Sequence, residues 1–182
     1  MRLVASLLLG SIALAGCAGL SGQGTGNPKN PKPIAVSQLK PTQGNKTSGS
    51  VSFVQNGDRI LIDARIDGLT PGAHGFHVHE KGDCSSPDGM SAGGHFNPSG
   101  KPHGGPDHAD RHAGDFGNLD ADANGNAVLK LTIPASQISL AKEAPNSVVG
   151  KALIVHADPD DYKTQPTGNS GKRLACGIIA LQ

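Results

Sequence analysis

The chain has no tryptophan, one tyrosine and four phenylalanines in 182 residues, so its core must rest mainly on Val, Ile and Leu. It has no excess of charge: 16 Lys and Arg stand against 15 Asp and Glu, a net charge of +1, which argues against a basic nucleic-acid surface. Cysteine is scarce, with three in the chain and none among the candidate ligands of the histidine-rich stretch, which excludes a thiolate metal site there. No apolar run reaches transmembrane length; the run from Leu3 to Ala15 falls short of the ~20 residues that a spanning helix needs. What abounds is glycine (26) and proline (13), a composition that favours short strands joined by many turns over a helical bundle.

The N-terminus reads as a targeting segment, because Arg2 precedes that apolar run and the run ends in Leu14-Ala15-Gly16-Cys17. The LAGC stretch resembles a bacterial lipobox, in which the cysteine is acylated and becomes the mature N-terminus. The expected organisation is a signal peptide over 1–16, a lipidated Cys17 with a flexible Gly/Ser/Asn/Pro tether through residue 33, and one domain over 34–182. Such a protein is exported and lipid-anchored to a bacterial membrane, its domain facing periplasm or exterior. Lipidation of Cys17 leaves Cys84 and Cys176 in a compartment where thiols oxidise.

Within the domain, hydrophobicity alternates with the period of a strand. In Ile60-Leu61-Ile62-Asp63-Ala64-Arg65-Ile66-Asp67 the even positions are apolar and the later odd ones charged, which predicts one dry and one wet face. Asn56-Gly57 and Asn124-Gly125 are hairpin signals, the second preceding a strand with Leu129, Leu131 and Ile133 on one face. Further strands are expected over 34–39, 49–55, 74–80, 114–119, 148–156 and 174–181, eight in all, which points to an all-β sandwich or barrel. Two stretches, 82–113 and 157–172, are too polar and too rich in Gly for strands, and long irregular loops in a compact domain are usually functional.

His77 and His79 sit two positions apart in the expected strand 74–80, which puts both imidazoles on one face about 6.6 Å apart. Phe76 and Val78 then face the core, the imidazoles outward under a loop. His156 ends another strand with the same option. His95, His103, His112 and Asp115 follow the pattern H-x7-H-x8-H-x2-D, and three imidazoles with a carboxylate suit tetrahedral zinc. Packing histidines, or an exposed His-rich loop with casual metal affinity, are the alternatives that spacing alone leaves open.

GFHVHEKGDC (75–84), GGHFNP (93–98), KPHGGP (101–106), RHAGDFGNL (111–119), LIVHADPDD (153–161) and GKRLACGIIALQ (171–182) together resemble the copper/zinc superoxide dismutases, in that family's order. The resemblance implies an eight-stranded Greek-key β-barrel, an immunoglobulin-like sandwich in architecture, with two long functional loops. It implies copper on His77, His79, His95 and His156, and zinc on His95, His103, His112 and Asp115, with His95 bridging. Asp160 matches an aspartate that hydrogen-bonds one histidine of each set, with Asp161 the alternative one position on, and Cys84 and Cys176 match the family's disulfide. The implied reaction is disproportionation of superoxide to O2 and H2O2 at a redox-cycling copper beside a structural zinc, with His95 relaying a proton. Arg173 occupies the anion-guiding position and Thr167 the opposite channel wall. Lys163 and Lys172 have no secure steering role, His108 and Asp107 match no ligand and are expected in solvent, and a homodimer is possible. A lipid-tethered copper/zinc buffer without turnover is the rival class; the full copper set and Arg173 favour the enzyme.

Overall fold

Alternating burial sets the strands, as the sequence pattern requires. In the computed structural model, which describes residues 34–182, Arg59–Asp67 forms a strand with Ile60, Ile62, Ala64 and Ile66 buried and Arg59, Arg65 and Asp67 exposed. The signal segment, Cys17 and the tether lie outside the described residues. In chain order the strands are β1 (Ala35–Pro41), β2 (Ser48–Asn56), β3 (Arg59–Asp67), β4 (Gly72–His79), β5 (Asp115–Ala121), β6 (Ala127–Pro134), β7 (Ala152–His156), β8 (Arg173–Ile178) and the two-residue β9 (Ala180–Leu181). A single 3-10 turn, Met90–Ala92, is the only helical element among the described residues.

Every pairing between these strands is antiparallel. The order β2-β3-β6-β5-β4-β7-β8-β1 closes because β1 pairs back to β2, giving an eight-stranded barrel with β9 as a short addition along β1. The links β3 to β4 and β6 to β7 join strands that are not neighbours, which is the Greek-key arrangement. Phe53, Phe76 and Phe116 meet inside, with ring centroids 6.5 Å apart for Phe53 and Phe116 and 5.8 Å for Phe76 and Phe116. Aliphatic residues fill the rest, Leu119, Ile133, Ile138 and Leu153 among them.

Four expectations need correction in detail. The β2–β3 turn is two residues long but centres on Gly57-Asp58, since Asn56 already pairs with Arg59. The strand expected over 148–156 begins only at Ala152, because the chain turns through Gly150 at φ 79°. The strand expected over 174–181 divides at Ile179, which exchanges hydrogen bonds with Gly150 and Lys151 before Ala180 pairs with Val36. The imidazoles on β4 are not outward-facing in the sense of wet: His77 and His79 are as buried as Phe76 and Val78, because the long loops cover that face.

Candidate metal centre

Two bulges in the barrel wall aim the site. On β5 one extra residue falls between the pairs Gly75↔Asn118 and His77↔Asp115, with Gly117 at φ 88° absorbing the kink, and Asp115 arrives opposite His77. On β8 an extra residue between Val155↔Ala175 and His156↔Arg173 does the same for Arg173, setting it across from His156. His77 and His79 come from β4 and His156 from β7, two paired strands. His95, His103 and His112 come from the loop between β4 and β5, and His95 joins the wall by an isolated bridge to His79.

The structure gathers these side chains into two groups, His77/His79/His95/His156 and His95/His103/His112/Asp115, in each of which the potential donor atoms all lie within 4.8 Å of one another. All seven residues are buried. Most of the rings have one nitrogen held by an oxygen. His77 Nε2 donates to Asp160 Oδ2 (2.8 Å), His103 Nε2 to Asp160 Oδ1 (2.9 Å), His79 Nδ1 to the Gly93 carbonyl (2.9 Å) and His156 Nδ1 to the Gly171 carbonyl (3.4 Å). A carbonyl or carboxylate can only accept, so each contact protonates that nitrogen, and in a neutral ring it leaves the other as a lone pair. Ring nitrogens then converge: the lone-pair His79 Nε2 lies 3.3 Å from His156 Nε2, and His112 Nδ1 lies 3.4 Å from His95 Nδ1, both beside Asp115 Oδ1.

Burial supports this state electrostatically. Desolvation holds His79 and His156 well below the ordinary histidine range, and neighbouring imidazoles and Arg173 add to the effect. His95 is lowered to about 4, chiefly by burial, against the opposing pull of Asp115. His103 is the exception: burial lowers it, but its contacts to Asp115 and Asp160 outweigh burial and raise it to about 9. An ion binding there must displace a proton. Asp115 and Asp160 are both held below the usual carboxylate range: burial alone would raise them, and hydrogen bonds from the surrounding histidines prevail.

The side chains fit two metal ions. His77 Nδ1, His95 Nε2 and His103 Nδ1 are buried without any hydrogen-bond partner, a costly condition for a polar atom unless something else occupies it. His103 Nδ1 is 3.0 Å from Asp115 Oδ2 yet out of hydrogen-bond geometry, as when two ligands face one ion instead of each other. Four neutral imidazoles suit copper and the three-imidazole, one-carboxylate set suits zinc.

The comparisons with known proteins agree. The sequence model for copper/zinc superoxide dismutase (SODC) matches residues 47–179. The chain belongs to the copper/zinc superoxide dismutase family. It is 46% identical over 154 residues to superoxide dismutase [Cu-Zn] 2 of Brassica juncea, covering 81% of this chain and 97% of that protein. A crystal structure of the clock protein EA4 aligns with a TM-score of 0.73 at 39% identity, over 82% of this chain and 96% of that one. The dismutase is therefore an enzyme that uses copper and zinc.

The remaining residues singled out in the sequence fall as follows. Asp160, not Asp161, bridges the two groups; Asp161 is exposed and accepts from the Lys163 and Thr164 amides. Cys84 and Cys176 form a disulfide. Arg173 donates to the Gly89 carbonyl (2.8 Å) and the Gly93 carbonyl (2.6 Å), the latter shared with His79. Thr167 is half-buried and accepts from Ser170 through its carbonyl (3.3 Å). Lys163, Lys172, Asp107 and His108 are exposed.

Three supports escaped the sequence reading. His74, 2% exposed, bonds the His156 carbonyl (2.9 Å) and the Thr70 carbonyl (2.8 Å), holding β7 at the ligand. Its signal was present: on the core-facing series His74, Phe76, Val78 it is the one polar member, and a buried polar group needs partners. Gln165 brackets His103 at its amide and carbonyl, and Asn118 clamps Asp160 at both backbone groups, contacts no local pattern announces.

Proposed function

We propose that His77, His79, His95 and His156 hold the copper, that His95, His103, His112 and Asp115 hold the zinc, and that Arg173 and Thr167 flank the approach of superoxide. The observation that carries this reading is the double membership of His95, whose Nδ1 faces Asp115 (2.8 Å) while its Nε2 has no protein partner. When bound, copper supplies a one-electron redox couple and zinc a redox-silent dication. The protein's part is to bind the anion, orient it and move a proton. Asp115 fixes the His95 ring from one side, leaving Nε2 to hold a proton and pass it to the reduced oxygen species. Arg173, tethered by two carbonyls, offers its charge beside His156 without being a ligand.

Arg173→Glu tests the reading. Copper and zinc content should stay unchanged, superoxide decay followed by pulse radiolysis should slow at least about tenfold, and the fall of rate with salt should flatten or reverse. Unaltered decay in the fully metallated variant would sink the guiding role. Wild-type protein with one copper and one zinc per chain but no accelerated decay would make it a metal buffer.

The same proposal places the dismutase outside the cytoplasm, acylated at Cys17 in a bacterial membrane. The Arg2 to Cys17 pattern supports this, and so does the Cys84–Cys176 disulfide, a bond that persists in oxidising compartments. Among the described residues no helix is long and apolar enough to cross a membrane, so the lipid is the proposed anchor. Cys17→Ser should move the protein from the membrane to the soluble fraction, and retention at the membrane would refute the anchor. A homodimer finds support in Ile34, Ile178 and Leu181, exposed large hydrophobics on the adjoining β1, β8 and β9 region of the barrel. Sedimentation of Ile178→Lys should show monomer where the parent shows dimer.

A further inference from the structure

A cleft of about 740 Å³ opens between the 98–113 part of the zinc loop and the segment after β6. Pro106, Pro134 and Pro145 give it an apolar wall, and Lys101 and Arg111 give it two cations. No Asp or Glu lines it. His108, which the metal sites do not use, also lines it; its Nδ1 accepts from the Gly105 amide (3.1 Å), which leaves Nε2–H as a further donor.

Arg111 is the informative residue. It is 7% exposed, and its guanidinium donates to two neutral acceptors, the Asp115 carbonyl and Gln137 Oε1 (2.8 Å). Among the described residues no carboxylate oxygen lies within 4.0 Å of it, and residues 1–33 contain no Asp or Glu to supply one. A buried cation without an anion is costly. Lys101 has Asp110 at 3.4 Å, but that pair is exposed. A guanidinium with free N–H donors matches a carboxylate in two-point geometry, and a cleft of this size accommodates an organic body that an inorganic ion would leave unfilled.

We propose that this cleft binds a small organic carboxylate, its carboxyl group on Arg111 and its apolar body against the prolines. The inference stands apart from the copper and zinc assignments. Calorimetric titration of the copper- and zinc-loaded protein with benzoate, benzamide and inorganic phosphate tests it. Benzoate should bind one per chain, with benzamide and phosphate each at least about tenfold weaker. Gln137→Glu puts a carboxylate where Arg111 already finds an acceptor, so it should preserve metal content and thermal stability while weakening benzoate at least about tenfold. Arg173→Glu should leave benzoate affinity intact, which separates the cleft from the anion approach at copper. The proposal is overturned if benzoate shows no binding at about 10 mM, if benzamide or phosphate matches it, if Gln137→Glu binds it unchanged, or if Arg173→Glu abolishes it.

Discussion

Replacing Asp160 by alanine probes the link between the two metal groups. Its carboxylate, 3% exposed, accepts from His77 Nε2 at 2.8 Å and from His103 Nε2 at 2.9 Å, one histidine from each group. Alanine leaves the two buried imidazole N–H groups without acceptors, at about 1–3 kcal/mol each, or roughly 2–6 kcal/mol together, and also frees the half-buried Tyr162 amide that donates to Oδ1. Both rings also lose the contact that fixes their tautomer, and loss of such outer partners typically lowers metal affinity about 10- to 100-fold, or about 1.4–2.7 kcal/mol per site. The expectation is that both affinities fall, measured by competition against chromophoric chelators. Asp160→Asn is sharper, because the amide carries one acceptor oxygen: one histidine keeps its partner while the other meets an N–H donor, so one metal should weaken more. Asp161→Ala, an exposed neighbour that caps Lys163 and Thr164, is the control and should change neither affinity. Affinities within about threefold of wild type for both metals in Asp160→Ala would refute the bridging role.

Reduction of the Cys84–Cys176 disulfide opens a span of 92 residues. In the chain-entropy model this costs about 4.6 kcal/mol, so the unfolding midpoint in denaturant should drop; a midpoint unchanged by complete reduction would contradict this. Asp115→Ala removes the only anionic side chain of the group proposed for zinc, and zinc titration should show its affinity falling well before copper's; copper lost with zinc retained would invert the two assignments. Gly168→Ala would place a methyl group into Asp160 Oδ1 and against His103 Nε2 from a backbone at φ 65°, and it should reproduce the Asp160 phenotype without replacing any ligand. Wild-type affinities for both metals in that variant would count against the packing argument.

How much of this was legible in sequence depends on the range of the contact involved. β3 and β6 could be read because one face of each is buried and the other meets solvent, which writes a period of two into the residues. β7 was harder, since Ala152 to His156 are all buried and a strand covered on both faces shows no alternation to mark where it begins. His77 and His79 were visible as a pair by strand geometry, and the loop ligands by their spacing, but the assignment of Asp160 over Asp161 rests on a fold that brings residues 77, 103 and 160 together. The bulges on β5 and β8 left no plain mark either. They are what put Asp115 opposite His77 and Arg173 opposite His156, and they depend on which residues of the partner strand pair.

Charge separates the two groups more than geometry does. The group proposed for copper has four imidazoles and no carboxylate, whereas the group proposed for zinc contains Asp115; Asp160 bonds one histidine of each group and does not distinguish them. A divalent ion among neutral imidazoles would keep its positive field, and Arg173 would add to it from the start of β8, opposite His156, held at Gly89 and Gly93 by the loop that the disulfide ties to β8. A divalent ion beside Asp115 would have one of its two charges offset and would attract an anion less. On the proposed assignment the chain would direct a small anionic substrate to the copper group, because Asp115 offsets one positive charge in the zinc group and no ligand offsets any among the four imidazoles.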